Sequence, residues 1–150
     1  MTNLYTWLRF LHLVGLVAFL IGHGISAGAS FVLRRPLPDT VRALVLMVSI
    51  RAYAGAGPGL LLLIVTGVWM GFLGSWWRTG WIWASIVVLV AVMVAMSAQS
   101  VPYHKARDAA AKNPMGEIEG ELKRARPEVL AGVGTIALVI LVFLMVFKPF

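Results

Sequence analysis

The sequence has no cysteine and few charged residues. Because none of its 150 residues is Cys, disulfides, thiolate metal sites, iron–sulfur clusters and cysteine nucleophiles are all excluded. Charged residues make up 13% of the chain and hydrophobic residues 60%, whereas a soluble domain carries about 25% charge. The mean hydropathy is +0.88. The shortage of charge therefore indicates a membrane protein.

The charged residues are missing from four long segments. Asp, Glu, Lys and Arg are absent from 10–33, 52–77, 79–104 and 129–147. Each segment is near or above the ~20 residues that a helix needs to cross a hydrocarbon core of about 30 Å. Strands of a membrane barrel would alternate in polarity over roughly ten residues, and these segments do not. The sequence predicts an all-α integral membrane four-helix bundle.

We predict a single transmembrane domain over residues 1–150, with spans at about 7–33, 54–75, 80–103 and 128–147 and a cytoplasmic linker at about 104–127. The first apolar segment exceeds the 7–15 residues of a signal-peptide core, so we interpret it as a retained span. The apolar stretch 43–50 either extends the second helix or lies on the membrane surface. The AGAGPG stretch at 54–59 marks a point where the second helix begins or kinks.

Basic residues lie between the apolar segments. The formal charge is +7 and the pI about 10.6, and this placement favours anionic lipid head groups over nucleic acid. Ten of the basic residues fall in the first and third loops, so both termini should lie outside the cytoplasm of a bacterial inner membrane. The ten are Arg34, Arg35, Arg42, Arg51, Lys105, Arg107, Lys112, Lys123, Arg124 and Arg126, against Arg9, Arg78 and Lys148.

Two histidines occur in the first span. His12 and His23 are eleven residues apart, which is roughly 20° past three full helical turns and a rise of about 16.5 Å. They should therefore share one helix face at two depths, with Gly22 and Gly24 beside His23. Ionisable side chains inside a membrane cost free energy and indicate function. The alternative is that each histidine only forms a hydrogen bond within the bundle.

Haem binding accounts for these residues best. Haem iron takes an imidazole nitrogen as axial ligand, and glycines beside the ligand leave room for the macrocycle. Arg51, or Arg34 with Arg35, would pair with the propionates. Two haems would need further ligands from His104 or from Met70, Met93 and Met96, so we expect one haem b. The predicted cofactor-binding residues are His12, His23, Gly22, Gly24 and Arg51.

A copper or zinc site would use His12, His23 and His104. This interpretation has less support, because the sequence has no HExxH motif and no second histidine one turn away. A hydrolytic triad is excluded, since no span contains an acid that could orient a histidine.

Glycine pairs indicate helix packing and assembly. Gly67 and Gly71 form a small-xxx-small pair in the second span, and Gly24 and Gly28 form another in the first. Such pairs let helix backbones approach closely. We expect a homodimer or a larger membrane complex, because four spans alone give a bundle with little interior.

At WLRFLHLVG, GHGISAGASFVLRR and GSWWRTGWIWASIVVLVAVMV the chain resembles an uncharacterised family of small four-span bacterial membrane proteins. That family is distantly similar to copper-resistance domains of the CopD type and to HemJ-type protoporphyrinogen oxidases, four-helix proteins that bind haem b. The shared feature is an aromatic and basic start followed by a histidine, here Trp7, Arg9 and His12. The resemblance implies that His12 ligates haem, and it does not imply oxidase activity.

Three functions follow as hypotheses. The first is a b-type haem protein in electron transfer or tetrapyrrole chemistry. The second is a cofactor-free accessory or assembly protein whose histidines, His12 and His23, only form hydrogen bonds. The third is a transporter of copper or another small solute.

The distribution of basic residues generates the first testable prediction. A periplasmic reporter fused at Phe150 should be active and a cytoplasmic one inactive, because Lys and Arg are retained on the cytoplasmic side. A reporter inserted near Pro114 should give the opposite result. A cytoplasmic reporter that is active at Phe150 would reverse the orientation.

Overall fold

The structure is a computed structural model that describes residues 3–112 and 126–150, with the backbone alone at helix positions 39, 99, 100, 103, 104, 106, 107, 109–112 and 127. These residues form α1 (Leu4–Val32), α2 (Asp39–Leu73), a short 3-10 helix (Trp76–Arg78), α3 (Gly80–Lys112) and α4 (Pro127–Phe147). No strand occurs in the described ranges. Each of the four α-helices contains a segment long and apolar enough to cross a membrane. The predicted all-α membrane bundle is confirmed.

Helix boundaries differ from the predicted spans. α1 begins at Leu4 because Asn3 caps it: the Asn3 side-chain oxygen accepts hydrogen bonds from the Thr6 N–H at 3.0 Å and the Thr6 hydroxyl at 2.8 Å. α2 begins at Asp39, so the stretch 43–50 extends the second helix rather than lying apart from it.

The interior of α2 and the end of α3 also differ from expectation. The second helix does not begin at 54–59, since α2 continues through this stretch with Pro58 inside it. α3 runs past the predicted end at 103 to Lys112. Positions 113–125 of the predicted linker lie outside the described residues.

α1 packs along α2 over most of its length. Its buried row contains Leu8, Gly15, Gly22 and Ala29, each seven residues after the one before. A period of seven keeps one row of a helix facing a single neighbour. The two helices are antiparallel, as expected for neighbours joined by a short connection.

Glycine is required where the two helices meet. A Cβ atom at Gly15 would lie 2.9 Å from the Gly59 carbonyl oxygen, and one at Gly22 would lie 2.7 Å from the Ala52 carbonyl oxygen. On α2, a Cβ atom at Gly59 would lie 2.6 Å from the Phe19 nitrogen. Close backbone approach through small residues is a common way to associate helices in lipid, where no hydrophobic force draws them together.

The second helix pair is α3 with α4. These two helices pack along each other, whereas α1 contacts α4, and α2 contacts α3, over only short stretches. The bundle therefore consists of the tightly packed α1–α2 pair and the α3–α4 pair, which contacts the first pair over only short stretches.

Contacts at both ends of the bundle join its helices. At one end the Trp81 N–H donates to the Phe150 carbonyl oxygen at 3.1 Å, and the Lys148 ammonium lies 4.3 Å from the centre of the Trp76 ring. Tyr5 of α1 makes an edge-to-face contact with that same ring. At the other end an ion pair joins Arg34, just after α1, to Glu128 at the start of α4.

The glycine contacts generate a stability prediction. Gly15→Ala and Gly59→Ala should each destabilise the protein by about 1–3 kcal/mol, because the added methyl group meets backbone that cannot move aside cheaply. Gly24→Ala and Gly57→Ala are the controls, since no atom lies within 4 Å of a Cβ there. Unfolding in mixed detergent micelles, followed by circular dichroism, measures the difference. Equal stability of the two sets would show that the close approach is unimportant.

Candidate functional site

His12 lies in the interface between α1 and α2. Its Nδ1 atom is 3.1 Å from the Thr66 Oγ1 atom, and the Thr66 hydroxyl donates to the Leu62 carbonyl oxygen at 2.6 Å. A hydroxyl has only one hydrogen, so with that hydrogen on Leu62 its oxygen accepts from the Nδ1–H of His12. This assigns the neutral tautomer that leaves Nε2 with a free electron pair.

Gly67 supports the His12 ring from α2. A Cβ atom at this position would lie 3.1 Å from the His12 Cε1 atom, so the ring rests against bare backbone. Gly71, one turn further on, faces the Trp77 indole, whose Cζ2 atom would be 3.2 Å from an added Cβ. This glycine pair therefore contacts side chains of its own chain.

His23 has different neighbours from His12. Its ring stacks on Phe19 with a centroid distance of 5.4 Å and an interplanar angle of 16°. A Cβ atom at Gly134 of α4 would lie 4.0 Å from the His23 Nε2 atom and 3.9 Å from the Met96 Sδ atom. The His23 nitrogen of α1 and the Met96 sulfur of α3 therefore both approach the same point beside Gly134 of α4.

The structure does not bring the two histidines to one neighbour. The two residues are about 20° apart around α1 but about 16.5 Å apart along it, so different helices can face them. His12 therefore contacts α2, and His23 turns toward α3 and α4. The two histidines therefore lie about 20° apart on α1 but have different neighbours.

The other predicted site residues occupy separate positions. The space beside Gly22 is filled by α2, so it leaves no room for a macrocycle, and Gly24 faces open space. Arg51 is exposed and precedes Ala52, which packs on Gly22, so it lies at about the depth of His23. His104 belongs to α3, and its side chain lies outside the described residues.

Metal ligands do not cluster in the described part of the chain. No group of three or more His, Asp or Glu side chains there is arranged to hold an ion. The predicted copper or zinc set of His12, His23 and His104 thus gains no support from the described residues.

Two residues of the candidate site had not been singled out from the sequence. Thr66 is 3% exposed and follows Ala52 and Gly59 at intervals of seven, so the period of α2 could have indicated that it faces α1. The sequence did not indicate a position for Gly134, because its neighbours, His23 and Met96, belong to two other helices.

Comparison with known proteins gives one match. Residues 6–149 match the model of a family described as "Predicted integral membrane protein (DUF2269)". No curated protein and no solved structure matches the chain. A relation to CopD-type or HemJ-type proteins has no support in these comparisons and stays an interpretation of the motif around His12. The match covers nearly the whole chain, so the protein belongs to this family of integral membrane proteins.

Proposed function

We propose that this integral membrane protein binds one haem b and serves in electron transfer or tetrapyrrole chemistry in a bacterial cytoplasmic membrane. The observation that carries the proposal is the position of His23. His23 belongs to a membrane-spanning helix, and its Nε2 atom lies 4.0 Å from the point that a Cβ atom at Gly134 of α4 would occupy, with the Met96 Sδ atom 3.9 Å from the same point.

Packing restricts where a macrocycle can enter. α1 and α2 are in backbone contact at Gly15 and Gly22, so no planar group fits between them. The two helix pairs touch each other only over short stretches, and His23 lies on that boundary. Two residues there support the proposal: His23 would offer a nitrogen ligand to haem iron, and Phe19 stacks on the His23 ring.

Arg51 suits the haem propionates by charge and depth. It is 22 residues before Leu73, the end of α2, which corresponds to about 33 Å of helix. If Leu73 lies at one edge of a hydrocarbon core of about 30 Å, Arg51 lies at the other edge. A bound haem would supply one-electron redox chemistry, and Arg51 would pair with its carboxylates.

His12 is the second candidate ligand. The Thr66 oxygen that accepts its Nδ1–H is the kind of partner that orients a metal-bound imidazole. The sequence motif favours His12, and both histidines are half-buried. His12 already has Thr66 as a hydrogen-bond partner within the bundle, so we favour His23 as the ligand.

A spectrum tests the proposal. Protein purified from haem-replete cells should show a Soret band, which His23→Ala should abolish and His12→Ala should leave largely intact. Circular dichroism of both variants controls for folding. Wild-type protein without a Soret band would refute the haem function, and loss in His12→Ala alone would move the ligand to His12.

A cofactor-free assembly protein is the alternative function. The His12–Thr66 hydrogen bond supports it, because it satisfies His12 within the bundle without any ligand. The proposal of a homodimer has some support from Gly24 and Gly28, which face open space. Gly67 and Gly71 are already packed within the chain and give no such support.

The hydrogen bond generates a separate prediction about stability. His12→Ala and Thr66→Val should be coupled by about 0.6 kcal/mol in a double-mutant cycle, the usual size for such bonds in membrane proteins. Thr135→Val on the exposed side of α4 controls for loss of a hydroxyl. Unfolding in mixed micelles gives the four free energies, and zero coupling would remove the structural role of His12.

A further inference from the structure

We propose that the two helix pairs separate at one end of the bundle. The connection between α2 and α3 acts as the hinge, and the ion pair between Arg34 and Glu128 acts as the latch. The movement uncovers His23 at the boundary between the pairs. It does not depend on what His23 binds, so it stands or fails separately from the haem function. The contrast between the two ends of the bundle is the observation that carries it.

The short 3-10 helix joins all four α-helices at the hinge end. Its residues Trp76 and Trp77 each contact aromatic or basic side chains on, or directly after, the α-helices: Tyr5 of α1, Phe72 of α2, Trp81 of α3 and Lys148 after α4. The centroids of the Trp77 and Phe72 rings are 5.1 Å apart. Aromatic contacts bury a large area and prefer defined geometries, so this end of the bundle is held together from every side.

The opposite end is joined by an ion pair at the membrane surface. Arg34 follows the end of α1, Glu128 lies in the first turn of α4, and their side chains are 38% and 59% exposed. The 29 residues of α1 span about 43 Å, which matches the about 40–45 Å of a bilayer with its head groups. The ion pair therefore lies at the level of the head groups. Exposed ion pairs are weak, so this one can break without unfolding either helix pair.

Packing makes each helix pair the unit that moves. Backbone contact at Gly15 and Gly22 keeps α1 against α2, whereas the two pairs contact each other over only short stretches. In the closed arrangement Gly134 of α4 lies beside the His23 imidazole, so α4 covers that side of the ring. Separation of the pairs moves α4 away from it.

His23 is placed to gain from this movement. It precedes Arg34 by eleven residues and follows Tyr5 by eighteen, so it lies nearer the latch than the hinge. Opening at the latch end therefore widens the boundary at the depth of His23 more than it does near Tyr5. A ligand of His23 would enter from that surface of the membrane.

Distances between spin labels on the full chain test the movement. Because the chain has no cysteine, two introduced thiols are the sole labelling sites. Leu44→Cys with Gly132→Cys reports on the latch end, and Leu73→Cys with Val146→Cys reports on the hinge end. The three replaced apolar side chains are exposed, and a Cβ atom at Gly132 meets no atom within 4 Å. Double electron–electron resonance in nanodiscs gives the distance distribution for each pair of labels.

Glu128→Gln removes the charge of the latch and conserves its shape. The long-distance fraction at the latch end should rise by up to about fivefold, the largest shift that an exposed ion pair of ordinary strength produces. The hinge-end distribution should stay unchanged. Salt at about 1 M should bring the wild type to the same fraction and leave the variant as it is, because salt screens exposed charges. An unchanged latch-end distribution, or an equal change at both ends, would overturn the proposal.

Exchange of the two charges separates the latch from a general loss of stability. Arg34→Glu combined with Glu128→Arg should return the latch-end distribution to that of the wild type. Arg126→Gln, which removes a charge just before α4, is the matched control and should change neither distribution. If the exchanged variant stays as open as Glu128→Gln, the ion pair is not the latch and the inference is wrong. Protein without a Soret band would refute the haem function alone, since these distances are measured without reference to haem.

Discussion

Backbone contact between α1 and α2 is the constraint on which the rest of the bundle depends. In lipid the apolar side chains gain little by meeting one another, so the two helices must associate through close packing and hydrogen bonds. Gly15 and Gly22 allow this because a Cβ atom at either position would meet the backbone of α2 within 3 Å. The same closeness excludes any cofactor from this interface. A ligand of appreciable size has to lie between the helix pairs instead.

Polar side chains differ between the α1–α2 interface and the boundary between the two helix pairs. Within the tight pair they satisfy each other, as His12 does with Thr66 and Ser26 with Ser49, whose hydroxyl oxygens are 3.4 Å apart. His23 lies at the boundary between the pairs, where its described neighbours are a Phe ring, a thioether and a glycine. None of these is a strong hydrogen-bond partner for an imidazole. The two histidines therefore have different surroundings, although both lie on one helix.

Composition was sufficient to predict the four helices, because uncharged apolar runs of this length are typical of helices that cross a bilayer. Helix ends were predicted less well. A helix can continue beyond the apolar segment that crosses the hydrocarbon core, so the end of that segment does not mark the end of the helix, as at Asp39 and Lys112. The role of Gly22 was wrongly predicted as clearance for a cofactor. The spacing of Leu8, Gly15, Gly22 and Ala29 by seven was present in the sequence and predicts packing. The proximity of His23 and Met96 to Gly134 could not be predicted, because it depends on how the two helix pairs pack against each other.

Position along the bundle separates the two histidines further. His12 pairs with Thr66 near the end that carries the Trp76 and Trp81 cluster, whereas His23 lies nearer the end closed by the Arg34–Glu128 ion pair. An anionic group bound beside His23 would be close to Arg51, because Gly22 and Ala52 pack together at that depth. A similar group at His12 would have no such basic neighbour on the facing stretch of α2, which from Leu60 to Phe72 contains no Lys or Arg. Arg9 lies one turn before His12 on α1, so basic residues occur at both ends, and it is the close packing of α1 on α2 that favours the boundary between the helix pairs for a cofactor.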